Sequence, residues 1–362
     1  MASFPGFEHG MGIGGWLTNY KRFHVLPMEW RLQFTIGDME HFATYITRRD
    51  VEYIASLGMD HIRLGFDQIV LEESPGIYRP EILKILDDFI FWCESAGVNI
   101  VLNLHKAIGN YCDIPEKVKL MDSPELQKRV IDLWLMLEDR YNSKPSIVFE
   151  LLNEVVDIDP ERWNIFADDM IRAIRKKNPE RKLIVGSRCW NAARELKSLR
   201  IWDDPNVIYT FHCYDPFEFT HQRGVLQAPT LYYNREMPYP GDIEYYRDFQ
   251  KVVNNCSDSY KEFQKMDKEF LRSVIAPAVE FTQNHPDKIL WCGEFGTIRH
   301  AKLQFRENYM RDLISLLKEY KIPYCSWNYL STPNDGNRFS LVDDDKREIL
   351  SSELAKIIAG DI

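Results

Sequence analysis

"IVFELLNE", residues 147–154, begins as an unbroken apolar run and ends in Asn153 and Glu154. A short continuous apolar run of this kind reads as a parallel strand covered on its outer face. A carboxylate at the end of such a strand is expensive to desolvate, so it calls for a partner or a task. Seven further short runs, most of them continuous, read as strands too: "MGIGGW" (11–16), "HIRLGF" (61–66), "NIVLNLH" (99–105), "KLIVGS" (182–187), "VIYTFHCYD" (207–215), "ILWCGEF" (289–295) and "YCSWNY" (324–329). Amphipathic helical patterns lie between them. Leu126, Val130, Leu133, Leu137 and Tyr141 recur at helical spacing, as do Met310, Leu313, Leu317 and Tyr320. Eight strands alternating with helices predict an α/β fold, a (β/α)₈ TIM barrel built by residues 1–362 as one domain. A doubly wound sheet is disfavoured, because no G-x-G-x-x-G follows any strand.

Residues 216–265 break the rhythm. The stretch is rich in Tyr, Pro and Asn ("LYYNREMPYPGDIEYY") before it turns polar and helical. A loop this long inside a barrel is usually functional or a small subdomain. It is expected as an insertion after the sixth strand, lying over the C-terminal face. Its tyrosines Tyr232, Tyr233, Tyr239, Tyr245 and Tyr246 read either as the insertion's own core or as sugar contacts.

Composition is that of an ordinary globular chain, with 45% hydrophobic and 28% charged residues. The net charge of −10 gains nothing from a polyanion, so nucleic acid and anionic membrane surfaces are excluded as partners. No apolar run reaches membrane-spanning length. The seven cysteines are scattered without a C-x-x-C, which indicates neither a disulfide framework nor a zinc ribbon. Cys213, Cys292 and Cys325 sit in apolar runs as small core residues. "MASFPGFEHGMGIGG" has no basic or apolar leader signature. The chain as given is therefore expected to be cytoplasmic, and secreted if a signal peptide has been removed. Oligomeric state is not legible.

Barrel chemistry sits at the C-terminal ends of the strands. There the sequence places Arg63, His105, Asn153, Glu154, His212, Tyr214, Glu294 and Trp327, with Trp190 and Asn191 after the fifth strand. Glu150 shares the parity of Glu154 but lies deeper, which leaves open a buried structural role or a different register. Each residue alone has an ordinary reading: a strand-end Glu as a hydrogen-bond partner, His105 as a core histidine, Trp327 or Trp190 as packing. Together they suit glycoside hydrolysis, in which one carboxyl donates a proton to the leaving oxygen and the other attacks or activates water. Facing carboxyls push their pKa values apart, and an Arg keeps one of them ionised. A metal-dependent hydrolase is the rival chemistry. The nine histidines form no H-x-H or H-E-x-x-H, and Arg63 opposes a cation, so no metal and no cofactor are expected. No G-x-S-x-G supports a serine nucleophile. A non-catalytic sugar-binding barrel is opposed by the presence of both glutamates.

"FELLNE" followed by "CGEFG" resembles glycoside hydrolase family 5, the cellulase A family of retaining (β/α)₈ glycosidases. The resemblance spans nearly the whole chain, through "GIGGWL", "HIRLGF", "NLHKA", "FHCYDPFEFTHQ" and "SWNY". "FTHQ", "YNRE", "YPG" and "LRSVIAPAVEF" in and after the insertion resemble the small clostridial endoglucanase C type. The resemblance implies a β-linked glucan or oligosaccharide substrate, hydrolysed with retention. It implies Glu154 as acid/base, Glu294 as nucleophile, and Arg63, His105, Asn153, His212, Tyr214 and Trp327 as the surrounding shell. Endo-β-1,4-glucanase is the activity expected; exo-acting β-glucosidase or β-mannosidase on short oligosaccharides is the alternative. The lost platform at Val225 and Leu226 and the missing leader signature favour that alternative, while Lys106 and Ile108 bear on the nearby sugar subsites. Lys106 and Ile108 stand where many relatives have a second His and a Pro-Gly. Val225 and Leu226 stand where a Trp platform is expected.

Overall fold

Eight parallel strands close into a barrel in a computed structural model that describes residues 2–21, 30, 33–112, 118–256, 258–332 and 335–362. The strands are β1 (His9–Leu17), β2 (His61–Asp67), β3 (Asn99–Lys106), β4 (Ile147–Glu150), β5 (Leu183–Gly186), β6 (Val207–Cys213), β7 (Ile289–Phe295) and β8 (Tyr324–Ser326). Each pairs with its neighbours in chain order, and β8 returns to β1. All eight expected strands form. Helices α1 (Arg48–Ser56), α2 (Pro80–Ala96), α3 (Pro124–Tyr141) and α4 (Pro160–Arg175) follow the first four strands. A proline in the first turn of α2, α3 and α4 gives up only an N–H that has no intrahelical partner there. The Ser123 hydroxyl caps α3 by accepting from the Leu126 amide at 3.3 Å. Between β5 and β6 the connection is a 3₁₀ turn, Ala193–Ser198, packed on α6 (Lys268–Asn284), rather than an α-helix. That connection spends its first residues on a left-handed run, Cys189 to Asn191, which leaves little length for a helix. Helices α7 (Leu303–Glu319) and α8 (Ser352–Ile358) complete the outer ring.

The strands divide their side chains between two cores. Leu64, Leu102, Phe149 and Phe211 face outward against the helices. Val101, Val148, Ile184, Ile208, Trp291 and Cys325 fill the lower barrel, plugged from below by Phe4 and Phe7, whose rings stack at 4.3 Å. Cys213, Cys292 and Cys325 are buried free thiols, as their apolar context indicated. The wall at β1 is different, because its inward positions Gly10, Gly12 and Gly14 carry no side chain. A Cβ at Gly14 would meet the Trp327 ring at 2.5 Å, and one at Gly10 would meet His61 at 2.2 Å. The glycines thus open the seat into which Trp327 leans.

Phe217, His221, Leu226 and Gln227, early in the segment after β6, lie at the C-terminal mouth. The segment holds short helices at Phe217–Thr220 and Ala228–Tyr233, helix α5 (Ile243–Asn254) and a two-stranded ribbon pairing 241–242 with 265–266. The Leu226 amide donates to Asn337 Oδ1 at 3.2 Å, which ties the insertion to the loop after β8. Tyr233, Tyr239 and Tyr246 are buried as its core, while Tyr232 and Tyr245 are exposed. Among the described residues, no helix is long and apolar enough to cross a membrane.

Candidate active site

At the centre of the mouth is Arg63, the inward side chain of β2, fully buried. A guanidinium so placed has to be paired on every side. Its Nε and Nη2 donate to both oxygens of Glu150 at 2.6 and 2.8 Å. Nη2 also donates to Asn153 Oδ1 at 2.7 Å, and Nη1 donates to Glu294 Oε1. Glu150 is therefore the fork partner that anchors Arg63, which settles the question its parity raised.

Glu294 points inward only because β7 bulges. The register against β6 slips between Cys292 and Glu294, so that Glu294 pairs with His212. Gly293 takes the extra position, where a Cβ would come within 2.6 Å of Thr210 Oγ1. The Tyr214 hydroxyl donates to Glu294 Oε2 at 2.9 Å. Burial opposes ionisation of Glu294, but the Arg63 guanidinium outweighs it, with help from His212 and His105, and brings the pKa down to about 2. Burial, then the charges of Glu294 and Glu154, push the Tyr214 phenol well above its ordinary value, so it stays a donor.

Asn153 and Glu154 lie beyond the end of β4, which stops at Glu150, four residues short of the run that the sequence suggested. The Asn153 amide is tied to Leu104 O at 2.9 Å, and Glu154 sits at φ 40°, a left-handed conformation that is rare for a residue with a Cβ. His212 Nδ1 lies 2.9 Å from Glu154 Oε1, and the Asn191 amide meets His212 Nε2 at 3.1 Å. With Asn191 donating, the ring proton is on Nδ1 and goes to Glu154. One oxygen of each glutamate and a ring nitrogen of His212 lie within 4.8 Å of one another. This is the short separation of retaining glycosidases, whose carboxyls stand about 5–5.5 Å apart, and is well below the gap of about 6.5–9.5 Å of inverting ones. Two carboxylates and an imidazole so close are also a donor set for a divalent cation. In this chain the Arg63 guanidinium supplies the positive charge beside Glu294.

Glu154, Glu294, His212 and Tyr214 open into a cleft of about 510 Å³. Trp327 and Trp190 contribute rings, and Phe217 and Phe339 add apolar surface. Trp327 follows β8 directly and stacks on His105, with ring centroids 5.5 Å apart and planes 9° apart. Trp190 is fixed by its indole N–H donating to Cys112 O at 3.1 Å. Of Val225 and Leu226, which stand where an aromatic platform was expected, Leu226 lines the cleft beside Gln227 while Val225 lies near Gly336, and none of the five insertion tyrosines lines it.

The family model for cellulase, glycosyl hydrolase family 5, matches residues 29–332. The chain belongs to this family. Endoglucanase C of Acetivibrio thermocellus is 37% identical over 359 residues, covering 98% of either chain. Cellodextrinase A of Ruminococcus flavefaciens is 30% identical over 303 residues, covering 82% of this chain and 78% of that one. A solved hyperthermophilic endo-β-1,4-glucanase in complex with substrate shares the fold, with a TM-score of 0.74 at 19% identity over 98% of this chain and 97% of that one. As a family 5 member the chain is a retaining glycoside hydrolase.

The structure brings Arg63, His105, Asn153, Glu154, His212, Tyr214, Glu294 and Trp327 to one site, with Trp190 across the cleft. Sequence reasoning missed two amides, Asn19 and Asn103, and named Asn191 beside the cleft without its role. Asn191 orients His212, Asn103 accepts from His105 Nδ1 at 2.8 Å, and Asn19 meets His105 Nε2 at 3.3 Å. Of the two missed residues, Asn103 had a signal, standing two residues before His105 on the same strand face.

Proposed function

We propose that the chain is an endo-β-1,4-glucanase in which Glu294 is the nucleophile and Glu154 the acid/base. The observation that carries the reading is the environment of Glu294, an ionised carboxylate with one oxygen held by Arg63 and the other by Tyr214. Glu294 attacks the anomeric carbon while Glu154 gives its proton to the departing oxygen, forming a glycosyl ester and a free sugar end. His212 occupies Oε1 of Glu154, which leaves the acid proton to the other oxygen. In the second step Glu154, now ionised, takes a proton from water as the water displaces Glu294. Arg63 and Tyr214 stabilise the carboxylate that departs. The Asn153 NH₂ has no hydrogen-bond partner among the described residues and supplies a donor for a sugar 2-hydroxyl beside the carboxyls. Trp327 and Trp190 offer faces to the apolar sides of pyranose rings.

A second reading, cleavage of short cello-oligosaccharides, is favoured by Leu226 and Gln227 lining the cleft in place of an aromatic ring. The test is hydrolysis of carboxymethyl cellulose, mixed-linkage β-glucan, mannan and oligosaccharides by the wild type and Glu294→Gln. Rapid viscosity loss on a polymeric glucan, abolished in the variant, supports endo action. Activity confined to oligosaccharides supports the second reading. Undiminished activity in the variant overturns both.

A further inference from the structure

Lys106 is buried at the end of β3, beside the site but outside the chemistry described above. Its ammonium donates to Asn19 Oδ1. Asn19 Nδ2 in turn meets His105 Nε2 at 3.3 Å, and His105 Nδ1 lies 2.8 Å from Asn103 Oδ1. These four groups form one line of hydrogen bonds running from Lys106 to Asn103. Two amides and an imidazole have no preferred direction in such a line, because each can present either a donor or an acceptor at either end. An ammonium carries donors only, so Lys106 gives the line a direction. It forces the Asn19 oxygen toward itself and the Asn19 NH₂ toward His105. His105 Nε2 must then accept, and the proton goes to Nδ1, from which Asn103 takes it.

We infer that Lys106 is a positioning residue that sets the tautomer of His105 through Asn19, and with it the stacked His105–Trp327 wall of the cleft. Asn19 itself lines the cleft, so the direction of the line also decides which face of its amide a bound sugar meets. Around the line, Asp67 is the register partner of Lys106 and accepts from Thr18 Oγ1 at 2.6 Å. Glu294 lines the same cleft as His105. With its proton on Nδ1, His105 presents an acceptor to Asn19, so Asn19 rather than His105 donates on that side.

The kinetic arm of the test rests on the glycosidase reading, whereas the spectroscopic arm does not. Nitrogen-detected imidazole NMR of the full chain, with His105 assigned from a His105→Gln variant, is expected to show a proton on Nδ1. In Lys106→Met the line can reverse, and a population with the proton on Nε2 appears. Lys106→Arg, also donor-only, retains the wild-type pattern. Asn19→Asp accepts at both ends and moves the proton to Nε2, which provides a second variant if Lys106→Met does not fold. On cello-oligosaccharides Lys106→Met is expected to raise KM by roughly three- to tenfold, the scale of one lost hydrogen bond, with kcat nearly unchanged and with rescue by Lys106→Arg. A proton on Nε2 in the wild type, or an unaltered Nδ1 tautomer in both Lys106→Met and Asn19→Asp, overturns the inference. An altered tautomer without hydrolytic activity in any form would instead count against the glycosidase reading.

Discussion

Replacing Glu294 by Gln removes one charge and keeps the shape. The side chain can still accept from Arg63, and Tyr214 can turn its hydroxyl. The variant therefore isolates what the charge contributes to folding. The pKa of Glu294 is about 2 in the folded chain, against about 4.3 for an unperturbed Glu. A folded value below the unfolded one means that ionisation stabilises the fold. The gain is fully present above the unfolded pKa and is lost as pH falls through the folded one. The difference between the two values is worth about 3 kcal/mol at pH 7 and falls to about half as much at pH 3. With an unfolding entropy of about 2.1 cal/mol/K per residue, 3 kcal/mol corresponds to about 4 °C in the melting temperature of a chain this long. Scanning calorimetry of wild type and Glu294→Gln between pH 7 and pH 3 should show the variant melting lower by about that much at pH 7, with the difference roughly halving by pH 3. A variant that melts higher than the wild type at neutral pH would mean that the two glutamates repel more than Arg63 compensates, and would refute the electrostatic reasoning.

Three further outcomes follow from the same geometry. Glu154→Ala should lose activity on substrates with poor leaving groups, keep it on activated aryl glycosides, and be accelerated by azide with a β-glycosyl azide as product. An α product or no acceleration would remove Glu154 from the acid/base role. Arg63→Met strands the fully buried Glu150 and should cost about 3–5 kcal/mol in denaturant unfolding together with activity; a loss of activity alone would show that Glu150 finds another partner. Gly14→Ala places a methyl 2.5 Å from the Trp327 ring and should raise KM, with about 1–3 kcal/mol of destabilisation from overpacking. Unchanged binding would mean that Trp327 does not hold the sugar.

The barrel was legible because the eight strands are short and mostly continuous and apolar, the pattern of a parallel sheet covered by helices. The strand ends were less so. "IVFELLNE" reads as one strand, yet pairing stops at Glu150, and Asn153 and Glu154 are carried by a strained turn. The inward aim of Glu294 defies alternation, since Trp291 and Gly293 already point in, and only the bulge turns Glu294 toward Arg63. A bulge depends on the neighbouring strand, so one strand's sequence does not reveal it. Tyr233 and Tyr246 turn inward and Tyr232 and Tyr245 outward on their two helices, Tyr239 is buried from the bend between those helices, and none of the five reaches the cleft. Asn19, Asn103 and Asn191 acquire their roles only when β1, β3 and the turn after β5 are brought against two histidines. Lys106 read as a departure from the family pattern, and its place in the hydrogen-bond line gives that departure a physical content.

The most direct test of the two-carboxylate account is trapping of the covalent intermediate. The protein is incubated with an activated 2-deoxy-2-fluoro-β-cellobioside, digested with protease and sequenced by mass spectrometry. The expected result is a single added fluorocellobiosyl group, on the peptide that contains Glu294 and on that carboxyl. A label on Glu154, or turnover with inverted product and no label at all, would contradict it.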